Sequence, residues 1–247
     1  MKKIIGKTYL TIPHTGGKLA FEYPAFKGTY TNVVNSIDKA GLKRPSSSET
    51  ASLIYGAWKS PDEKYSSEII SILKNNWFWE FTGNLYLPKS NGPKGVSSGE
   101  EISNGVILDL DSQNLKFENG PNGISSGVKL RMNKNSLVQR LKENDPLVKF
   151  VPFGFKTGEQ TWQELEKNDY IQKRYGKEGA EKIAEIASKY KNNPYVNIFN
   201  SVNKEETRMS TLNYYWGFNN GLSVNGNDWS DNSGGHAFGV CKEKGRK

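Results

Sequence analysis

Between Met209 and Cys241 the chain reads MSTLNYYWGFNNGLSVNGNDWSDNSGGHAFGVC and holds no Lys, Arg, Glu or Gln. Charged residues make up 24% of the whole protein. A stretch of that length would ordinarily carry about eight of them, and only Asp228 and Asp231 are present. Asn, Gly, Ser, Asp, Tyr and His replace them, with Trp216, Trp229, Phe238 and Val240 set among them. A tract rich in Asn, Gly and Ser commonly stays a linker, because it buries too little apolar area to offset its ordering entropy. The two tryptophans oppose that reading: large apolar rings suit pinning a loop to a core better than filling a solvated linker. Small polar side chains and a few aromatics on a rigid frame have the composition of an antibody-like contact surface. Residues 209–241 therefore read as a binding region.

The rest of the composition narrows the classes available. A chain of 247 residues can build one large domain, 1–247, with its own core. Aromatics reach 12%, mean hydropathy is strongly negative, and no run approaches the roughly 20 apolar residues of a membrane span. The opening MKKIIGKTYLTIP has two lysines but no apolar core of a secretory signal. The default location is thus cytoplasmic, with delivery on a virus particle or at a surface left open. Cys241 is the sole cysteine, so there is no intrachain disulfide and no cysteine-based metal framework, and a reducing compartment follows. As a nucleophile Cys241 would need a base, yet the only histidines are His14 and His236; a small buried hydrophobe is the better reading. No phosphate loop, dinucleotide loop, zinc spacing or serine elbow is present. The expectation is a protein that is not an enzyme and carries no cofactor or metal. The net charge of +8 is diffuse, with a basic tail at 242–247, which favours solubility over a dedicated nucleic-acid groove.

In chain order, Lys7 to Ile12 and Leu19 to Tyr23 read as a hairpin turning at Gly16 and Gly17. Thr31 to Ala40 is a helix ended by Gly41 and Pro45. Ser46 to Glu49 has capping-box spacing ahead of a helix with Leu53, Ile54, Ala57 and Trp58 on one face. Ser60, Pro61 and Glu63 predict a second cap, followed by a half-buried stripe of Tyr65, Ile69, Ile72 and Leu73. Trp77 to Phe81, a turn at Thr82 to Asn84, and Leu85 to Pro88 predict an aromatic hairpin whose rings pack inside, in preference to a sugar-stacking platform of Trp77 and Trp79. A loop at Lys89 to Asn104 precedes the strand GVILDLD, whose Asp109 and Asp111 are expected to face water in preference to a metal. Asn114 to Asn133 is hairpin-like, Ser136 to Asn144 a helix, and LVKFVPFGF a buried strand. Thr161 to Lys191 predicts two surface helices broken around Gly176 and Gly179, their charges solvated, within a helical insertion at 156–192. Tyr195 to Phe199 is a strand.

An opening hairpin, a capped helix pair, aromatic strands, then a Trp-Gly segment and the final GGHAFGVC strand together resemble the C-type lectin fold. That resemblance implies an α+β domain with paired terminal strands, packed helices and the inserted helical segment. The terminal stretch free of Lys, Glu and Gln is similar to the variable region of a diversity-generating retroelement target protein with a C-type-lectin fold like that of formylglycine-generating enzymes. In that family, mutagenised adenines in asparagine codons never yield Lys, Glu, Gln, Met or Trp. The resemblance implies a ligand-binding, variable set of Asn213, Tyr215, Phe218, Asn219, Asn220, Ser223, Asn225, Asn227, Ser230, Asp231, Asn232, Ser233 and His236. It implies scaffold anchors at Trp216, Gly217, Trp229, Phe238 and Val240. The disulfides of animal C-type lectins, their Glu-Pro-Asn or Gln-Pro-Asp calcium motif and the site cysteines of formylglycine-generating enzymes are all missing. The expected partner is an unknown macromolecule, a protein in preference to nucleic acid. A carbohydrate- or nucleic-acid-binding module of fixed specificity is the alternative.

Overall fold

A computed structural model describes residues 7–15, 17–90, 102–120, 123–214, 220–229 and 233–241. Strands β1 (Thr8–His14) and β2 (Gly17–Tyr23) form the expected hairpin. The short β3 (Phe26–Gly28) leads into α1 (Tyr30–Lys39), capped by the Thr29 side chain. In α2 (Ser47–Lys59) both halves of the Ser46/Glu49 capping box are made, satisfying two amide donors that a helix start otherwise leaves open. The second expected cap is not made. Ser60 ends α2, and α3 (Lys64–Asn75) begins after Glu63 with no side-chain cap. Its stripe still forms, with Ile69, Ile72 and Leu73 buried.

The aromatic segment differs from the expected hairpin. Trp77–Leu87 is one strand, β4, running straight through Thr82, Gly83 and Asn84. These turn-forming residues find partners in the interior instead: the Thr82 hydroxyl lies 2.8 Å from that of Ser47, and Asn84 Nδ2 donates to Ser210 Oγ at 2.9 Å. Two surplus residues are absorbed as a bulge, since Asn84 pairs with Arg208 but Glu80 with Ser210.

The chain continues through β5 (Gly105–Asp109), the hairpin β6 (Lys116–Gly120) and β7 (Gly123–Arg131), α4 (Lys134–Lys142), β8 (Val148–Pro152) and β9 (Gly158–Glu159). Helices α5 (Trp162–Lys167) and α6 (Asp169–Ala187) follow, then β10 (Tyr195–Asn197), β11 (Glu206–Tyr214), β12 (Leu222–Asp228) and β13 (Gly235–Ala237). Asp109, expected in water, is only 9% exposed and receives Arg140 Nη1 at 3.3 Å. Burial pushes its carboxyl above the usual range, against the Asp111 amide and Arg140, which hold it down.

Among the described residues a mixed α+β architecture results, built on a sheet of order β3-β13-β4-β11-β12-β10-β9, with β5 beside the far half of β4 and β8 beyond it. One face, bearing Phe78, Leu212 and Val224, packs on α2, α3 and α6. The other, bearing Trp79, Phe81 and Met209, is covered by Tyr30, Val33 and Ile37 of α1 and by Leu115 and Leu130 around the β6–β7 hairpin. The expected surface placement of the α5–α6 region fails here. Tyr170, Ile171, Tyr175, Ala180 and Ile183 of α6 lie in the main core, and so does the charged Arg174. The break falls at Gly176, whose φ of 71° suits glycine; Gly179 is helical and buried. The expected pairing of the first and last strands is not made among the described residues: β1 pairs with β2 alone and β13 with β3 and β4, while the segment after β13 reaches β2 through the Val240–Phe21 bridge and the Cys241 amide, which donates to Ala20 O at 2.8 Å.

Candidate functional site

The predicted contact residues that fall on described positions gather along β11, β12 and the start of β13. Asn213, near the end of β11, pairs with Ser223 on one side and with Trp77 on the other, and Trp77 pairs with Gly235. Asn213, Asn225 and Asn227 are half-buried, whereas Asn220 and Ser233 are exposed. Tyr215, Trp216, Gly217, Phe218, Asn219, Ser230, Asp231 and Asn232 lie outside the described residues.

Several assignments need correction. Ser223 is 1% exposed and His236 8%, so both are covered by the surrounding fold and neither can serve as an open contact residue. Burial holds the His236 imidazole below its ordinary pKa. Trp229, expected as a buried anchor, is 60% exposed. It directly follows β12, where the chain leaves the sheet. Asn220 has φ of 50°, a left-handed conformation in which Asn is among the few tolerated residues with a side chain, so its identity has a backbone reason too. Phe238 and Val240 are buried.

Beneath this hairpin lies a network that the sequence did not announce. Glu80 and Arg174 are fully buried and ion-paired to each other. Tyr175 donates to Glu80 Oε2 at 2.9 Å, and Arg174 Nη1 donates to Asn225 O and to the Tyr170 hydroxyl, each at 3.1 Å. Tyr170 donates to Asn84 Oδ1 at 2.7 Å, and Tyr86 to Gly226 O at 2.8 Å. Burial pushes the Glu80 carboxyl up, with Arg174 opposing. For Arg174, desolvation opposes the charge, but Glu80, Tyr175 and Tyr170 together outweigh it and raise its pKa. The effect is mechanical: the backbone of β12 is tied at consecutive carbonyls to α6 and β4. Close packing adds to this at β13, where a Cβ on Gly235 would overlap the Trp79 indole. Trp79 is fully buried and donates to Gly28 O at 3.0 Å, and Trp77 meets it edge-on at 5.8 Å. The pair is structural.

Beside the hairpin end opens a cleft of about 510 Å³, into which Tyr214 and Asn220 project from the polar region. Trp58 of α2, Lys74 and Asn75 of α3, and Lys189 to Asn192 after α6 complete it. Trp58 and Tyr190 pack edge to face at 5.9 Å, Tyr190 and Tyr214 tilt together at 5.4 Å, and Lys74 Nζ sits 5.4 Å from the Trp58 ring centroid. Trp58 Nε1 and the Tyr190 hydroxyl are buried without a hydrogen-bond partner among the described residues. Burial raises the Tyr190 phenol, with Tyr214 adding to it. Sequence reasoning had Trp58 only as a helix-face residue and the Lys-rich run after α6 as solvated. Four segments meet there, and no local pattern signals such a meeting.

A second cleft of about 570 Å³ lies between β1 and helices α2 and α3. At its edge Lys182 Nζ donates to Ser52 Oγ at 2.9 Å, and His14 Nδ1 lies 2.9 Å from the same oxygen. Ser52 is 2% exposed and Lys182 is paired with Glu178, so the contact ties β1, α2 and α6 together and does not present a nucleophile. No group of three or more His, Cys, Asp or Glu among the described residues is arranged to hold a metal ion. No helix among them is long and apolar enough to cross a membrane. Comparison with protein-family models, curated proteins and solved structures finds no match to this chain.

Proposed function

We propose that this chain is a noncovalent ligand-binding protein of C-type-lectin-like fold, whose polar C-terminal region is diversified by retroelement mutagenesis and displayed on a rigid scaffold. One observation carries the reading. A stretch free of Lys, Arg, Glu and Gln ends in strands whose backbone is clamped from below by the Glu80–Arg174 network. Preorganisation is the mechanism: side chains at the rim change while the backbone beneath them stays fixed, so little ordering entropy is lost on binding. The pairing of the closing segment with β2 supports the lectin-like reading of the fold. Ser223 and His236 leave the contact set because they are buried. Asn213, Asn220, Asn225, Asn227 and Ser233 remain, with Tyr215, Phe218, Asn219, Ser230, Asp231 and Asn232 as candidates from sequence.

Sequencing the DNA around the gene in several isolates tests this. A near-copy repeat beside a reverse-transcriptase gene, with differences confined to adenines in codons 213–233, is the expected result. Codons identical between isolates and the absence of such a repeat would overturn the diversification.

A further inference from the structure

The cleft between Trp58, Lys74, Tyr190 and Tyr214 has a chemistry of its own. Among the described residues its lining supplies the ammonium groups of Lys74, Lys189 and Lys191, the amides of Asn75 and Asn192, and no carboxylate. Trp58 Nε1 can only donate, and like the Tyr190 hydroxyl it is buried without a partner among the described residues. Leaving such donors unsatisfied is unfavourable, so an acceptor that reaches them on binding is favoured. Aromatic rings bordered by positive charge complement an anionic oxygen group carried on a flat or apolar body.

We propose that this cleft is a fixed subsite for an acidic segment of the protein ligand, taking an Asp or Glu carboxylate at the lysines and a neighbouring apolar or aromatic side chain against the rings. The proposal rests on the binding reading above, and it names the part of the ligand that does not vary. A peptide fits better than a nucleic-acid strand, because the positive charge does not continue as a track. Next to the cleft, Glu185 pairs with Lys59 at 2.5 Å and Lys189 at 3.8 Å. A strand of phosphates would meet that carboxylate, whereas one or two acidic side chains would not. The cleft's volume is within the usual range for small-ligand pockets.

The test follows the Trp58 indole N–H resonance of the whole protein, assigned with Trp58→Phe, during titration with the peptide acetyl-Gly-Glu-Tyr-Glu-Gly-amide. The expected result is a saturable shift that its Gln-containing counterpart does not produce. The variant Lys74→Gln/Lys189→Gln/Lys191→Gln, all at exposed positions, should keep its thermal midpoint and bind about tenfold more weakly or worse, as loss of charge-assisted bonds requires. Equal shifts with the Gln peptide, unchanged affinity of the triple variant, or tighter binding of an oligothymidylate than of the acidic peptide would each overturn the proposal. Codon comparison between isolates is independent of this titration, so failure of diversification and failure of the subsite are distinguishable.

Discussion

At its inner side the β11–β12 hairpin has its polar groups taken up within the fold: Asn225 O by Arg174, Gly226 O by Tyr86, and Ser210 Oγ by Asn84. At its cleft end the same hairpin stands among polar groups without hydrogen-bond partners among the described residues, namely Asn213 Oδ1, Trp58 Nε1 and the Tyr190 hydroxyl. In the frame Glu80 Oε1 alone of the Glu80–Arg174 pair lacks a partner among the described residues, and a buried polar network so nearly satisfied rigidifies what it touches, whereas a cluster of unsatisfied groups is costly unless something else supplies their bonds. The contrast separates a frame from a site within one pair of strands.

Substitutions in the frame should break that contrast most severely. Arg174→Met strands the Glu80 carboxyl in the core and should cost about 3–5 kcal/mol of stability by denaturant unfolding. Adding Glu80→Gln should recover part of the loss, because the stranded charge is gone. Gly235→Ala forces a Cβ into the Trp79 indole and should cost about 1–3 kcal/mol. Acidification should act more gently. Burial lowers the pKa of both His14 and His236, so the unfolded chain takes up protons first as pH falls. Their contribution is full above about pH 6.5 and declines below it. His14→Gln/His236→Gln should flatten the fall in thermal midpoint between pH 7 and 5. The smallest effect belongs to the rim: Ser233→Tyr, at an exposed position, should change stability by no more than about 0.5 kcal/mol.

Local signals were legible from the sequence and distant ones were not. The Ser46–Glu49 box and the β1–β2 hairpin depend on residues a few positions apart, and both form as read. Thr82 and Asn84 resemble a turn in isolation, because Ser47 and Ser210, the partners that let them stay buried in a strand, lie far away in sequence. Arg174 sits in a charged helix and reads as solvated until Glu80 is placed against it. Asp109 was missed for the same reason, its partner Arg140 lying on α4. Within the site, composition marked the polar stretch but not the direction of each side chain. Ser223 and His236 are buried and Trp229 exposed because of what the rest of the fold lays over each position, which composition does not encode. The cleft was invisible because α2, α3 and the segment after α6 each contribute one part of it.

The division between frame and rim is tested most directly by protease resistance of two displayed libraries. One randomises Asn213, Tyr215, Phe218, Asn219, Asn225, Asn227, Ser230, Asp231, Asn232 and Ser233; the other randomises Thr82, Asn84, Ser210, Ser223 and His236. Most members of the first library should resist cleavage as the parent does, and few of the second. Equal survival of the two, or greater loss in the first, would contradict a rigid frame carrying interchangeable side chains.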